Sequence, residues 1–141
     1  MHQEEYIKTR VKAYYWDDDI NCASTTLKVL AEQYDIILEN QVLDGAIGLH
    51  GAGGYGVQCG LVEGALIFIG ILGKAKGIPE SDIMQLCHEF AKNFEQKFGS
   101  LQCSVLRPMG FSEKNPPHLC ESFTCKAISF IVRYIDINYQ V

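Results

Sequence analysis

The chain has 141 residues, of which 48% are hydrophobic and 21% are charged, and its formal net charge is −5. These values are typical of a globular domain and exclude an intrinsically disordered chain. Lysine and arginine form no cluster along the sequence, so nucleic acid is not an expected partner.

The first half of the chain has helical periodicity. Glu4–Tyr15 is the first predicted helix, and Asn21–Tyr34 is the second, with Asp19 or Asn21 as its N-cap. Gln41–Leu49 is a short third helix. The first ten residues contain no export signal, so we expect a cytoplasmic protein.

The fourth predicted helix, Cys59–Lys76, is the most apolar. The longest apolar stretch of the chain, Leu61–Leu72, has only 12 residues and contains Glu63. It is therefore too short for a membrane span. Gly60 and Gly64 have a G-x-x-x-G spacing that allows close helix packing, within the chain or in a homodimer.

The second half of the chain continues the helical pattern. The fifth predicted helix begins after Pro79 and ends at Gly99, with a buried stripe of Ile83, Leu86, Cys87, Phe90, Phe94 and Phe98. Residues 99–118 are predicted to be irregular. His118–Ile137 is the last predicted helix, although its end would also suit a short strand. Since no repeat or linker divides the chain, we expect one all-α domain over residues 1–141, a compact bundle of five or six helices.

Six cysteines are the main functional signal, namely Cys22, Cys59, Cys87, Cys103, Cys120 and Cys125. In a reducing compartment this number indicates metal binding or redox chemistry rather than a disulfide framework. Three of them fall at predicted helix starts and a fourth, Cys103, in the loop after the fifth helix. Unpaired N–H groups at a helix start favour the thiolate, which is the reactive and metal-binding form.

The cysteines divide into three groups. Cys87 lies on the phenylalanine stripe and is interpreted as a core residue, and Cys125 is equally consistent with core and function. Cys22, Cys59, Cys103 and Cys120 are the candidate site. No pair has the C-x-x-C spacing of a thioredoxin site or a zinc ribbon. The tertiary fold must therefore assemble the site, which leaves open a metal ion, an iron–sulfur cluster, disulfides or neutral thiols.

Residues near these cysteines give weaker signals. His50 and His118 are candidate nitrogen ligands or ordinary loop residues. Glu63 is either a buried proton carrier or metal ligand, or an acid that faces solvent. The loop "GAGGYG" lacks the lysine of a phosphate-binding loop. We expect instead that backbone N–H groups around Gly54, Gly56 and Gly60 face a cofactor bound to sulfur.

The quoted motifs together resemble a known family. "NCA" at 21–23, "CGLVEG" at 59–64, "FGSLQC" at 98–103 and the cysteine at 120 are similar to the redox-active proteins named for their C_GCAxxG_C_C pattern. The resemblance covers about residues 21–135. The alanine that follows Cys-Gly in the family pattern is Leu61 here.

The resemblance implies a helical domain with four recurring cysteines, a redox role and a prosthetic group such as an iron–sulfur cluster. A similar domain is associated with split-Soret cytochrome c. This chain has no C-x-x-C-H motif, so covalent haem is not carried over. The leading hypothesis is electron transfer or redox sensing with a protein partner. The alternatives are a metal-free thiol–disulfide protein, a zinc-binding domain, and a helical interaction domain with free thiols. The resemblance does not assign an enzyme reaction.

Overall fold

A computed structural model of the protein describes residues 2–107 and 114–140. Within these residues the chain forms helices and no strand, as the periodicity predicts. The helices are α1 (His2–Trp16), α2 (Cys22–Gln33), α3 (Asn40–Gly45), α4 (Gly51–Gly54), α5 (Gly60–Ala75), α6 (Glu80–Phe98), α7 (Cys103–Leu106) and α8 (Glu121–Tyr139).

The helix count is higher than the predicted five or six, because the described residues contain eight helices. The two additional helices, α4 and α7, have only four residues each. Both lie in segments that local sequence marks as loops. Gly51 and Ala52 in α4 have φ values of 72° and 57°, so this turn is distorted and produces no helical periodicity in the sequence.

The five long helices enclose one hydrophobic core. α2 packs on α5, α1 packs on α8, and α5 also packs on α6. Phe68, Phe90 and Phe94 are the largest fully buried side chains. The predicted stripe of the fifth helix is confirmed, since Ile83, Phe90 and Phe94 are buried and its other members are half-buried against the core.

The end of the last helix is helical and not the short strand considered as an alternative. The β-branched stretch that would also suit a strand lies inside α8, where Ile128, Ile131, Val132 and Ile135 are buried. These positions follow the three-to-four spacing of one helix face, which burial against α1 and α5 favours over strand pairing. The segment predicted to be irregular contains α7, and its residues 108–113 lie outside the described residues.

The N-cap of α2 is Asn21 rather than Asp19. Asn21 Oδ1 accepts a hydrogen bond from Ser24 N at 2.8 Å. The amide of Asn21 also donates to Ala46 O and Ile47 O, at 3.1 and 2.7 Å. One side chain therefore begins α2 and attaches it to the segment after α3.

The G-x-x-x-G spacing serves packing within the chain. A Cβ atom at Gly60 would overlap Cys22 Sγ and Leu49 O, and one at Gly64 would lie 2.8 Å from Ala23 O. These glycines therefore let the backbone of α5 approach α2 directly. Among the described residues, no helix has both the length and the apolar character needed to cross a membrane.

A pair of alanine substitutions in α5 tests this packing. Gly64→Ala should lower the free energy of unfolding by about 1–3 kcal/mol, because the added methyl group meets the α2 backbone. Gly70→Ala is the matched control, since its Cβ atom would meet nothing within 4 Å. It should raise the free energy of unfolding by about 1 kcal/mol through helix propensity. Equal effects of the two variants in urea unfolding would contradict the packing role.

Candidate functional site

The four candidate cysteines line one cavity of about 300 Å³. We call it the thiol cavity and define it by Cys22, Cys59, Cys103 and Cys120. His50 and His118 also line this cavity. Each of the four cysteines lies at a helix start: Cys22 and Cys103 are the first residues of α2 and α7, and Cys59 and Cys120 are the N-caps of α5 and α8. The four sequence positions are thus brought together by tertiary folding, as the long spacing requires.

Cys22 and Cys59 meet through the packing of α2 on α5. Gly60 leaves the space beside its Cα that the Cys22 thiol occupies. The backbone N–H groups of Leu61 and Val62 lower the pKa of the Cys59 thiol. A helix start has this effect because its backbone N–H groups carry partial positive charge.

A short antiparallel bridge joins the segments of Cys59 and Cys103. Gln58 pairs with Gln102, Cys59 N donates to Leu101 O at 2.8 Å, and Cys103 N donates to Val57 O at 2.8 Å. These hydrogen bonds fix both cysteine backbones in a common register. The sequence has no alternating pattern here, so this pairing is not predictable from it.

Gly51 allows the glycine loop to pass close to Cys103. A Cβ atom at Gly51 would lie 3.0 Å from Cys103 Cβ and 3.2 Å from its Sγ, and its φ is +72°. Glycine alone adopts this backbone conformation without strain. The loop therefore presses its backbone against one thiol of the cavity.

His118, two residues before Cys120, contacts two aromatic rings of α1. The ring of His118 stacks on Tyr15, with 5.1 Å between centroids, and contacts Trp16 edge-on at 4.8 Å. His118 Nε2 lies 3.1 Å from Asp19 Oδ1. Tyr15 is itself held by a 2.7 Å hydrogen bond between its hydroxyl and Thr124 Oγ1. The end of α1 thereby positions the residues that precede α8.

Burial and mutual repulsion keep these thiols neutral. Burial, together with repulsion from the thiolates of Cys103 and Cys120, raises the pKa of Cys59 to about 11. Burial also raises the pKa of Cys22, with added repulsion from the other three sulfurs. The Arg107 guanidinium opposes the rise in pKa at Cys103 and Cys120. Cys103 and Cys120 also repel each other when both are ionised. Repulsion therefore acts between every pair of the four thiolates.

The order and spacing of these cysteines match a protein family. Residues 20–134 match the model of the family described as "Putative redox-active protein (C_GCAxxG_C_C)". The chain belongs to this family. Searches of curated protein sequences and of solved structures gave no significant match.

The other predicted residues of this C_GCAxxG_C_C member divide between the thiol cavity and other places. Cys125 lies outside the thiol cavity and lines a different one. Cys87 is half-buried against the core, as predicted. Glu63 is half-buried and accepts a hydrogen bond from the side-chain amide of Gln58. Gln58 is the residue that pairs with Gln102 in the antiparallel bridge.

The predicted role of the glycines is altered by the loop's own hydrogen bonds. Gly54 lines the thiol cavity, but its N–H donates to His50 O at 3.0 Å, and the N–H of Gly56 donates to Gly51 O at 2.9 Å. Gly60 contributes by having no side chain, which leaves room for the Cys22 thiol. The backbone N–H groups that lower a thiol pKa lie instead just inside α5, at Leu61 and Val62.

Two residues of the thiol cavity have no advance signal in the sequence. Arg107 follows α7 in a segment without periodicity, and Tyr15 reads as an ordinary buried residue of α1.

His50 Nδ1 is buried and has no hydrogen-bond partner within residues 2–107 and 114–140. In that same part of the chain, no three His, Cys, Asp or Glu side chains form a group that could hold a single metal ion.

The raised thiol pKa values predict a pH dependence of stability for the reduced, metal-free chain. The folded state resists ionisation of Cys59, whose pKa is raised from 9.0 to about 11. The unfolded state ionises near the ordinary value. The free energy of unfolding should therefore fall as the pH rises through this interval. The contribution of Cys59 is up to about 3 kcal/mol, at about 1.4 kcal/mol per pKa unit.

The matched comparison is Cys59→Ala, which removes this ionisable group. Urea unfolding at several pH values should give a shallower decline for Cys59→Ala than for the unaltered chain. Parallel declines would mean that Cys59 ionises equally easily in the folded and unfolded states.

Proposed function

We propose that this chain is an electron-transfer or redox-sensing protein in which Cys22, Cys59, Cys103 and Cys120 hold an iron–sulfur cluster. The observation that carries the proposal is the convergence of four thiols from four helix starts on one cavity. Four thiolates are the usual ligand set of such clusters. The family's redox description agrees with this chemistry.

The charges of the thiol cavity support a cationic occupant. Four thiolates in a buried space repel each other, and the cavity offers them one guanidinium, that of Arg107. Unpaired ions in a low-dielectric site are strongly unfavourable. Metal ions bound to the sulfurs would remove this penalty, because their positive charge neutralises the thiolates. Four cysteine thiolates are in this respect a suitable ligand set for the cluster.

The remaining residues of the thiol cavity would bind, shield and tune such a group. The N–H groups of Leu61 and Val62 favour the Cys59 thiolate, and hydrogen bonds from them to a ligand sulfur would tune its reduction potential. Leu61, Leu106 and Phe123 supply apolar wall that limits water. The cluster itself would supply reversible one-electron exchange.

A metal-free thiol–disulfide protein is the second candidate, and one observation favours it. The Arg107 guanidinium partly offsets the rise in pKa at Cys103 and Cys120. A thiolate at this pair would attack a disulfide of a partner protein, and the second thiol would complete the exchange. The partner's disulfide is then reduced to two thiols while Cys103 and Cys120 become joined.

The edge of the thiol cavity suggests the charge of a redox partner. Trp16 is 51% exposed and contacts His118, which lines the cavity. Exposed Asp17, Asp18 and Asp19 follow Trp16 directly, and the Trp16 indole donates to Glu121 at 2.6 Å. We infer that a partner with a basic surface docks at this acidic edge and exchanges electrons through it.

Anaerobic reconstitution tests the cluster. The reduced chain, incubated with iron and sulfide and then desalted, should retain both and show a visible charge-transfer band. Single serine substitutions at Cys22, Cys59, Cys103 or Cys120 should each remove most of that band. Cys87→Ser and Cys125→Ser are the matched controls and should retain it, because both thiols lie outside the thiol cavity.

Two outcomes would reject the cluster. One is the absence of bound iron and sulfide in the folded, unaltered chain. The other is equal loss of the band in the control variants. If iron is absent and mild oxidation removes two free thiols in the unaltered chain but none in Cys103→Ser, the thiol–disulfide candidate is supported instead.

Small redox mediators of opposite charge test the acidic edge. The reduced protein should transfer electrons to a cationic ruthenium ammine faster than to ferricyanide, after correction for driving force, and added salt should reduce this preference. Replacing Asp17, Asp18 and Asp19 by asparagine should slow only the cationic mediator. Asp44→Asn together with Glu80→Gln and Asp82→Asn is the control with equal charge change. An equal effect of both triple variants would contradict docking at this edge.

A further inference from the structure

A second cavity of about 320 Å³ lies among α1, α6 and α8, and it does not contain the four candidate cysteines. We call it the basic cavity. Its edge carries four cationic side chains, Lys8, Lys97, Lys126 and Arg133. Glu4 is the carboxylate among its lining residues. These charges come from three helices that are distant in sequence, so the fold itself brings them together.

The charge of the basic cavity is opposite to that of the whole chain. The chain has a formal net charge of −5 and 12 lysines and arginines in total, and four of these surround one cavity. Within residues 2–107 and 114–140, none of the four forms an ion pair with a carboxylate. Their field is therefore directed at solvent and at whatever enters the cavity.

The floor of the basic cavity is largely apolar. Phe98 and Phe130 are half-buried, with ring centroids 5.5 Å apart and an interplanar angle of 74°. Half-buried Cys125 and Ser129 lie beside them and add a thiol and a hydroxyl. A wall of aromatic rings with a few polar groups and charges at the edge is typical of small-molecule sites of this volume.

We propose that the basic cavity binds a small organic phosphate that carries a planar ring. The ring would pack on Phe98 and Phe130, and the phosphate would lie among the lysines and Arg133. A phosphate monoester carries about −1.5 to −2 charges at neutral pH and accepts several hydrogen bonds, which suits several cations better than a single carboxylate does. Glu4 accepts a hydrogen bond from a ring N–H or a hydroxyl of the same ligand.

This site is independent of the proposed redox centre. The basic cavity shares no lining residue with the thiol cavity, and its ligand requires no iron or disulfide. Binding to the basic cavity can thus succeed or fail whatever the thiol cavity holds.

The test compares ligands that differ only in the phosphate. Flavin mononucleotide and riboflavin form one pair, and adenosine 5′-monophosphate and adenosine form the other. Each is titrated calorimetrically into the full chain, with inorganic phosphate as a third probe for the charge alone. At least one phosphorylated compound should bind about tenfold or more tightly than its unphosphorylated partner and than inorganic phosphate.

Charge removal at the cavity edge supplies the second arm. Lys126→Gln combined with Arg133→Gln should weaken that phosphorylated ligand about tenfold or more, and should leave its unphosphorylated partner unchanged. Lys74→Gln combined with Lys92→Gln is the matched control, since neither lysine lines the basic cavity. Both variants should leave α5, α6 and α8 folded, because all four side chains are exposed.

Three results would overturn the proposal. The first is that neither phosphorylated compound binds with a Kd below about 1 mM. The second is that each compound and its unphosphorylated partner bind equally. The third is that both double variants weaken binding to the same extent, which would indicate general attraction to positive charge.

Discussion

The close approach of α2 and α5 is the constraint on which the rest of the structure depends. Because Gly60 and Gly64 have no side chains, the two helix backbones touch, and the Cys22 thiol fills the space beside Gly60. Asn21 attaches the start of α2 to the segment after α3. This contact therefore fixes the direction of the glycine loop as well as the position of two thiols, and a longer side chain at Gly60 would separate all of them.

The thiol cavity combines features that oppose each other energetically. Hydrophobic burial stabilises the helix packing, yet the same burial raises the pKa of the thiols and disfavours the anions that bind metals or attack disulfides. Helix-start N–H groups at Cys59 and the Arg107 guanidinium reduce this penalty only in part. The chain thus keeps its sulfurs protonated until an electropositive group or a reaction partner changes the balance.

Much of this arrangement could be predicted from the sequence, because local rules produce it. Helical spacing identified the long helices, an asparagine marked the start of α2, and the cysteine order identified the family and four sulfurs that share a cavity. What could not be predicted depends on contacts between distant segments. The pairing of Gln58 with Gln102 leaves no alternation in the sequence, and Arg107 follows a helix of four residues that has no period of its own. The Gly54 and Gly56 amides are used within the loop, a result of turn geometry that composition alone does not reveal.

The wide sequence separation of the four cysteines has a consequence for the biogenesis of the protein. Cys22 and Cys120 are 98 positions apart, so the fourth sulfur is synthesised long after the first. Contacts between such distant segments form late, after the loops between them have closed. A group held by all four sulfurs, as proposed above, would therefore have to enter a folded site rather than an extended peptide.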